Sequence, residues 1–362
     1  MTTIRESIRR LFIPFEPLPA GLYHYQAPSE APDHFRLHLR IEPDGSGVLI
    51  VNASTVLHLN TSAAEFAYHL LRGSSQEEVA RSMAVRYHVS QAQVLQDFTD
   101  FKDRIETLIS TSDLDPVTYL DFDRRKPHTV PISAPYRLDC ALTYQLPASI
   151  DPSFAPTARA TRELTTYDWE SIMDKAWQAG IPHIVFTGGE PTLREDLQQL
   201  ISHAETNGQV TGLLTDGIRL ANPGYLDSLL QTGLDHLMIL FNPAEDKISA
   251  VIQSALQSDI FTTVHMTITS LNQTSVMDDL QRLSEMGLRS ISLSAADVEL
   301  KEQLRRARER AAELQLSLVW DLPVPYSALN PFSLEFADHE RSVGAGHSWL
   351  YVEPDGNGFI AE

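Results

Sequence analysis

Cysteine is the scarcest residue of this 362-residue chain, which contains a single one, Cys140. One thiol excludes an internal disulfide and excludes any zinc or iron–sulfur site that takes several thiolates from one chain. Positive charge is also scarce, since 28 lysines and arginines face 48 carboxylates and give a formal net charge of −20. This charge repels phosphate backbones and anionic lipid, so we expect neither a nucleic-acid partner nor a membrane partner.

Long apolar runs are missing as well. The longest, such as HLMILF at 236–241, are too short to span a bilayer, and the N-terminal stretch MTTIRESIRRLFIPFEP lacks the apolar centre of a signal peptide. These features predict a cytoplasmic protein. The 13 histidines form no HExxH or His-x-His pattern, so no mononuclear metal site is predicted.

The first third of the chain contains the signals of a small separate module. Residues 1–34 are rich in proline and predict an extended arm. FRLHLRIE and GVLIVN alternate apolar and polar residues around PDGSG, which predicts a hairpin, and TVLHLN predicts a third strand. Three helices should follow, with N-terminal capping pairs Ser62–Glu65, Ser75–Glu78 and Ser90–Gln93. We therefore expect a winged-helix-like module over 35–112 and a proline-containing linker over 113–133.

The rest of the chain has a regular period. Short apolar segments begin near His183, Val210, His236, Thr263, Ser290 and Ser317, at intervals of 26 or 27 residues by subtraction, after an earlier strand YRLDCALT. Glycines at 180, 208, 233 and 287 are placed to end the intervening helices. This pattern predicts an α/β fold of βαβ units with a parallel sheet, either an open barrel or a doubly wound sheet. In both folds the chemistry lies at the carboxyl ends of the strands.

Four stretches carry a resemblance to a known family. They are LHLNTSAAEFAYHLLRGSSQEEVARSMAVRYHVS at 57–90, FTGGEPTLRED at 186–196, LLTDG at 213–217 and WLYVEPDG at 349–356. With them the chain resembles radical S-adenosylmethionine (SAM) peptide-modifying enzymes that carry an N-terminal PqqD-like peptide-recognition module. The resemblance implies a partial TIM-like (β/α) barrel of radical SAM type over 134–322. It also implies that 323–362 are a truncated remnant of the auxiliary-cluster region.

The resemblance fails at the metal site. In that family three cysteines spaced Cys-x3-Cys-x2-Cys follow the first strand and hold a [4Fe-4S] cluster, and here those positions fall on Leu146, Ile150 and Ser153. None of the three supplies a thiolate, so the chain resembles a degenerate member, with the cluster predicted to be absent and no metal ligands expected. Cys140 lies inside the first strand and is interpreted as a buried small apolar residue. Without iron to donate an electron, reductive cleavage of SAM has no route, and we expect no catalytic residues.

The GGEP stretch has two interpretations. As a SAM-like pocket it would comprise Gly188, Gly189, Glu190, Pro191 and Thr215, with exposed backbone N–H groups and a carboxylate for an ammonium group. SAM would then bind weakly, because the contacts to iron are missing. As a structural relic the glycines would only form a required turn. Asp216 stands where the family has asparagine, which exchanges a donor–acceptor for a charge.

The N-terminal module offers a second site. An open strand edge beside a helix suits the capture of an extended peptide by strand addition. The residues predicted to contact such a peptide are Val56, Leu57, Leu59, Phe98 and Phe101. The alternative is that these side chains form the core of the module.

These observations support two main hypotheses. The first is a non-catalytic radical SAM homologue that binds a precursor (leader) peptide as an accessory protein in the maturation of a ribosomally synthesised modified peptide, with an active radical SAM paralogue as a further partner. The second is an enzyme that keeps a SAM pocket for cluster-independent chemistry such as methyl transfer. A purely structural subunit beside an active paralogue is a third reading.

Overall fold

The computed structural model describes residues 18–28, 31, 35–53, 55–111, 120, 131–147, 160–245, 247–319 and 346–359. The chain divides near residue 133 into two compact units. Each unit has its own hydrophobic core.

The N-terminal unit contains a four-stranded antiparallel sheet. Its strands are β1 (Gly21–Gln26), β2 (Arg36–Ile41), β3 (Gly47–Val51) and β4 (Thr55–Leu59), paired in the order β1-β2-β3-β4. In the β2–β3 turn the Asp44 carboxylate accepts hydrogen bonds from the Ser46 hydroxyl and N–H, which lower the pKa of Asp44. Strand β1 lies within the segment predicted to be an extended arm, so the sequence analysis missed one strand of this sheet.

Three helices complete this unit. They are α1 (Thr61–Leu71), α2 (Gln76–Tyr87) and α3 (Gln91–Ser110). Ser75 and Ser90 cap α2 and α3 as predicted, since their hydroxyls accept the N–H groups of Glu78 and Gln93. The prediction for α1 was wrong: its cap is Asn60, whose side-chain Oδ1 accepts the Ala63 N–H at 2.9 Å, while the Ser62 hydroxyl donates to the same oxygen.

The C-terminal unit is built on one nine-stranded sheet. The strand order is β11-β10-β9-β8-β7-β6-β5-β12-β13, in which the eight strands from β11 to β12 run parallel and β13 is antiparallel to β12. The strands are β5 (Arg137–Thr143), β6 (His183–Gly188), β7 (Val210–Thr215), β8 (His236–Leu240), β9 (Phe261–Ile268), β10 (Ser290–Ala295), β11 (Ser317–Leu318), β12 (Trp349–Val352) and β13 (Gly358–Phe359).

Helices connect the parallel strands. They are α4 (Thr166–Gln178), α5 (Leu197–Asn207), α6 (Tyr225–Gln231), α7 (Ile248–Gln257), α8 (Val276–Glu285) and α9 (Lys301–Glu313). The four glycines predicted to end helices have φ angles between 83° and 97°, as such ends require. Buried side chains from all six helices join alternate residues of the strands in one core cluster. The helices therefore cover one face of the sheet, which confirms the radical SAM-type (β/α) architecture and excludes the doubly wound alternative.

The opposite face of the sheet carries many polar side chains. The strand residues on this face alternate with those in the core cluster. They include Asp139, Thr187, His265 and Ser292, together with a small apolar cluster around Met238. The imidazole of His265 lies 3.0 Å from the Ser292 hydroxyl, and burial lowers the pKa of His265 to about 3, so the ring is neutral. A closed TIM barrel fills this space with branched apolar residues. Here the inner face is suited to polar groups.

Candidate functional site

The two glycines after β6 lie against the end of β5. The Gly189 N–H donates to the Thr143 carbonyl at 2.7 Å, and the Glu190 N–H donates to the Gln145 carbonyl at 2.8 Å. A Cβ at Gly188 would overlap the Thr143 oxygen, and one at Gly189 would overlap the Gln145 oxygen. One of the two interpretations of the GGEP stretch had the glycine N–H groups facing a ligand, and the other had the glycines forming a required turn. In the structure the Gly189 N–H binds a backbone carbonyl, and both glycines allow the close approach to β5.

Glu190 joins two loops at the carboxyl edge of the sheet. The residue is 1% exposed. Its Oε1 accepts the Thr192 N–H at 3.0 Å, the Thr192 hydroxyl at 2.5 Å and the Thr215 hydroxyl at 2.8 Å, and its Oε2 accepts the Asp216 N–H at 2.7 Å. The structure therefore joins Glu190 and Thr215 directly, with Pro191 next to Glu190 in the chain, whereas a SAM-like pocket formed by these residues stays a prediction. Oε1 has three donors, whereas Oε2 has one and can accept another.

Asp216 forms an acidic pair with Glu190. Its Oδ1 accepts the Ile218 N–H at 2.9 Å, and its Oδ2 is buried with no donor to it among the described residues, while a hydrogen bond between the two carboxyl groups requires a proton on one of them. Burial, and then the negative charges of Glu190 and Glu245, raise the pKa of Asp216 to about 7. The sequence analysis noted aspartate in place of asparagine but missed the pair, because only folding brings the two carboxyl groups together.

Two further groups surround this pair. The Arg219 guanidinium donates to the Thr192 carbonyl and lies 4.9 Å from the centre of the Tyr225 ring. Burial raises the pKa of Tyr225, an effect that Arg219 opposes and Glu190 reinforces. The carboxyl groups of Glu190 and Asp216 and the guanidinium of Arg219 therefore lie in the same region, which we call the Glu190 junction.

The predicted cluster positions provide no metal ligands in the part that the structure describes. Leu146 is half-buried just after β5, while Ile150 and Ser153 lie outside the described residues. Cys140 is fully buried in the core, and burial raises the pKa of its thiol well above the usual value. No group of three or more histidine, cysteine or acidic side chains suited to a metal occurs among the described residues. The only thiol of the chain is therefore neutral and inaccessible, which does not fit a cysteine-bound [4Fe-4S] cluster.

Most residues of the predicted peptide site lie in the core of the N-terminal unit. Leu57, Leu59, Phe98 and Phe101 are between 3% and 8% exposed and belong to one hydrophobic cluster, whereas Val56 is half-buried. Their side chains therefore support the sheet in this structure, as the alternative reading held. The edge of β4 is a separate feature, because β4 pairs with β3 alone in the described sheet.

Among the described residues, no helix is both long enough and apolar enough to cross a membrane.

Comparison with known proteins places a radical SAM domain in the C-terminal unit. Residues 140–266 match the model of the Radical SAM superfamily, which is 127 of the 362 residues. The chain is also similar in structure to Streptococcus suis SuiB, at 14% sequence identity and a TM-score of 0.58, over 91% of this chain and 82% of SuiB.

Two other structures of SuiB give the same result. SuiB bound to precursor peptide SuiA matches at 14% identity and a TM-score of 0.58, over 89% of this chain and 81% of that one. SuiB bound to S-adenosylmethionine matches at 13% identity and the same TM-score, over 93% and 82%. At this identity the similarity shows a shared fold, which in this chain comprises an N-terminal antiparallel sheet and a radical SAM domain.

Proposed function

We propose that this chain is a non-catalytic radical SAM homologue that binds a precursor peptide as an accessory protein in the maturation of a ribosomally synthesised modified peptide. The main support is the position of β4 at the edge of the described sheet, where it pairs with β3. SuiB, which has a similar fold, has a structure with a precursor peptide bound. The proposed location of the protein is the cytoplasm. Its proposed second partner is an active radical SAM paralogue that performs the chemistry.

Strand addition at β4 is the proposed mode of binding. Leu57 and Leu59 face the core, whereas Val56 and His58 are half-buried on the other side. A peptide strand beside β4 would bind through main-chain hydrogen bonds, and its alternate side chains would extend the apolar surface that Leu57 and Leu59 begin. The buried phenylalanines Phe98 and Phe101 then act by holding the helices against this sheet.

The proposed lack of catalysis follows from the thiol content. Radical SAM chemistry needs an electron from an iron–sulfur cluster, and the cluster needs several thiolates. This chain has only Cys140, which is buried in the core. We therefore assign no step to the barrel in this proposal.

A second candidate function rests on the junction at Glu190. The loops after β6 and β7 are both formed, and Glu190 Oε2 can still accept a donor such as an ammonium group. A SAM-binding enzyme with polar chemistry, such as methyl transfer, would use this group. Calorimetry with SAM separates the two candidates: saturable binding that Glu190→Gln removes would favour the enzyme, and no binding would eliminate it.

Peptide binding can be measured by fluorescence anisotropy with the labelled leader segment of a precursor encoded beside this gene. A lysine at Val56 places a charge on the β4 edge and should weaken binding about tenfold or more. The matched control is Leu22→Lys on β1, the other edge of the same sheet, where Leu22 is 44% exposed. We expect the control to bind like the wild type. Equal binding by both variants, or no binding by the wild type, would contradict the proposal.

A further inference from the structure

A cavity of about 360 Å³ lies at the rim of the radical SAM domain, beside the end of β5. We call it the rim cavity. Its volume is within the range of small-molecule sites. It is lined by Thr143, Gln145, Glu163, Leu164, Leu193, Arg194, Glu195 and Asp196. None of these residues was a predicted site residue, although four of them belong to the FTGGEPTLRED stretch.

Arg194 has no hydrogen-bond donor left for a ligand. Its Nε and Nη2 donate to the Asp196 carboxylate at 2.9 and 2.7 Å. Its Nη1 donates to the Leu142 and Leu164 carbonyls, and Nη2 also donates to Leu164. These five bonds use all five N–H groups of a guanidinium. An anionic ligand would therefore find no free donor on the one cationic side chain of the cavity.

The carboxylates of the rim cavity are less fully occupied. Glu163 Oε1 accepts the Thr143 hydroxyl at 2.5 Å, whereas Oε2 lies 3.7 Å from Arg194, beyond hydrogen-bond distance, on a side chain that is 33% exposed. Glu195 is exposed and has no ion-pair partner among the described residues. With Asp196, three carboxylates face one guanidinium, so the cavity attracts cations.

Apolar side chains supply the remaining wall. Leu193 is 37% exposed, and Leu164 is half-buried against the core. A bare metal ion would gain nothing from these walls. An alkyl chain would bury apolar surface against them while its charged end reached a carboxylate.

We propose that the rim cavity binds a monocation on an aliphatic stem, with the charged group beside Glu163 and Glu195 and the stem against Leu164 and Leu193. The chemical class is a primary alkylammonium or an alkylguanidinium. Two sources share this chemistry, a free amine and the side chain of a lysine or arginine in a peptide. The proposal is independent of peptide capture at β4, since it concerns another unit of the chain.

The test is a titration of the full chain monitored by NMR or calorimetry. Pentylammonium represents the free amine, and Nα-acetyl-lysine N-methylamide, whose ε-ammonium group is charged, represents the peptide side chain. We expect saturable binding of at least one probe with a Kd on the order of 1 mM. Pentanol, which lacks the charge, and ammonium chloride, which lacks the stem, should bind much more weakly at matched ionic strength. The probe that binds more tightly identifies the source.

Variants connect the binding to the rim cavity. Glu163→Gln and Glu195→Gln should each weaken binding about tenfold, because each removes a charge-assisted hydrogen bond. Glu195 is exposed, so its replacement leaves the fold intact even if Glu163→Gln disturbs the contact with Thr143. Glu299→Gln, at another exposed glutamate, should change the affinity less than about twofold. The proposal is overturned if no probe saturates, if pentanol binds equally well, or if Glu163→Gln and Glu195→Gln both bind like the wild type.

Discussion

At the scale of single residues, Asp216 adds a second carboxyl group next to Glu190 at the carboxyl edge of the parallel sheet. An asparagine there would be neutral at every pH, whereas Asp216 shares a buried site with Glu190. Two carboxylates so close cannot both be ionised without cost, and burial increases that cost. Near neutral pH a proton bound to Asp216 would restore the neutral side chain that the family pattern has at this position.

The variant Asp216→Asn tests this proton. The ordinary pKa of the group is 3.8 and the folded value is about 7, so in this window the folded protein holds a proton that the unfolded chain has released. The contribution of Asp216 to the stability of the wild type therefore falls as the pH rises from about 4 to about 7, and the penalty is complete above 7. The variant lacks the effect. Its advantage in free energy of unfolding should grow across this window to on the order of 2 kcal/mol.

Thermal or urea unfolding of both proteins at several pH values measures this difference. Asp278→Asn, at an exposed aspartate of α8, is the control and should follow the wild type at every pH. A constant difference between Asp216→Asn and the wild type from pH 4 to pH 7 would show that Asp216 is ionised throughout and would refute the raised pKa.

The position of Glu190 and Thr215 at one edge of the sheet was predictable from the sequence, but their hydrogen bonds were not. Glu190 and Thr215 were predicted to meet because the carboxyl ends of neighbouring parallel strands share one edge, and their side chains lie 2.8 Å apart. The direction of each polar group could not be predicted. Whether the Gly189 N–H faces solvent or the Thr143 carbonyl depends on the path of the chain after β5, which no local pattern encodes.

At the scale of elements, the loop after β6 is fixed by backbone contact rather than by side chains. Gly189 makes the closest approach, since a Cβ there would overlap the Gln145 carbonyl oxygen, and backbone cannot move aside as a flexible side chain can. The variant Gly189→Ala should therefore destabilise the protein by about 1–3 kcal/mol, as overpacking does. Urea unfolding measures the loss.

A second glycine provides the comparison. Gly358 in β13 has no atom within 4 Å of the position of a Cβ, so Gly358→Ala should be neutral or slightly stabilising. If Gly189→Ala were equally harmless, the loop would have room to move away from β5, and the close packing of the two strand ends would not be what requires glycine.

The elements themselves were predictable where a period or a cap was present. Strands recurring every 26 or 27 residues, with a glycine after four of the six connecting helices, predicted the parallel sheet, and Ser75 and Ser90 marked two helix starts. Strand β1 was missed because GLYHYQ is a single short run amid proline, and its partner β2 lies across a separate segment. Asn60 was missed as a cap because Ser62, two residues later, offered an equally good signal; in the structure that serine supports Asn60.

At the scale of the whole molecule, composition restricts function more strongly than fold does. The fold is that of a radical SAM protein with an N-terminal sheet, and a SuiB structure with the same fold has a precursor peptide bound. A net charge of −20 and one thiol are properties of the entire chain and do not depend on any local geometry. The charge favours cationic ligands such as the one proposed for the rim cavity. The thiol count limits the chemistry of the barrel.

Anaerobic reconstitution with ferrous iron and sulfide tests that limit on the intact chain. A [4Fe-4S] cluster of this family needs about three protein thiolates, and the only candidate, Cys140, is buried and neutral. After gel filtration we expect iron well below one atom per chain, no visible absorption of a cluster, and no deoxyadenosine from SAM and a reductant. Cys140→Ala should give the same result as the wild type, because the thiol takes no part. Near-stoichiometric iron and sulfide in the wild type would mean that oxygen or nitrogen ligands hold a cluster, and the proposed non-catalytic role would then be wrong even if the leader peptide still bound.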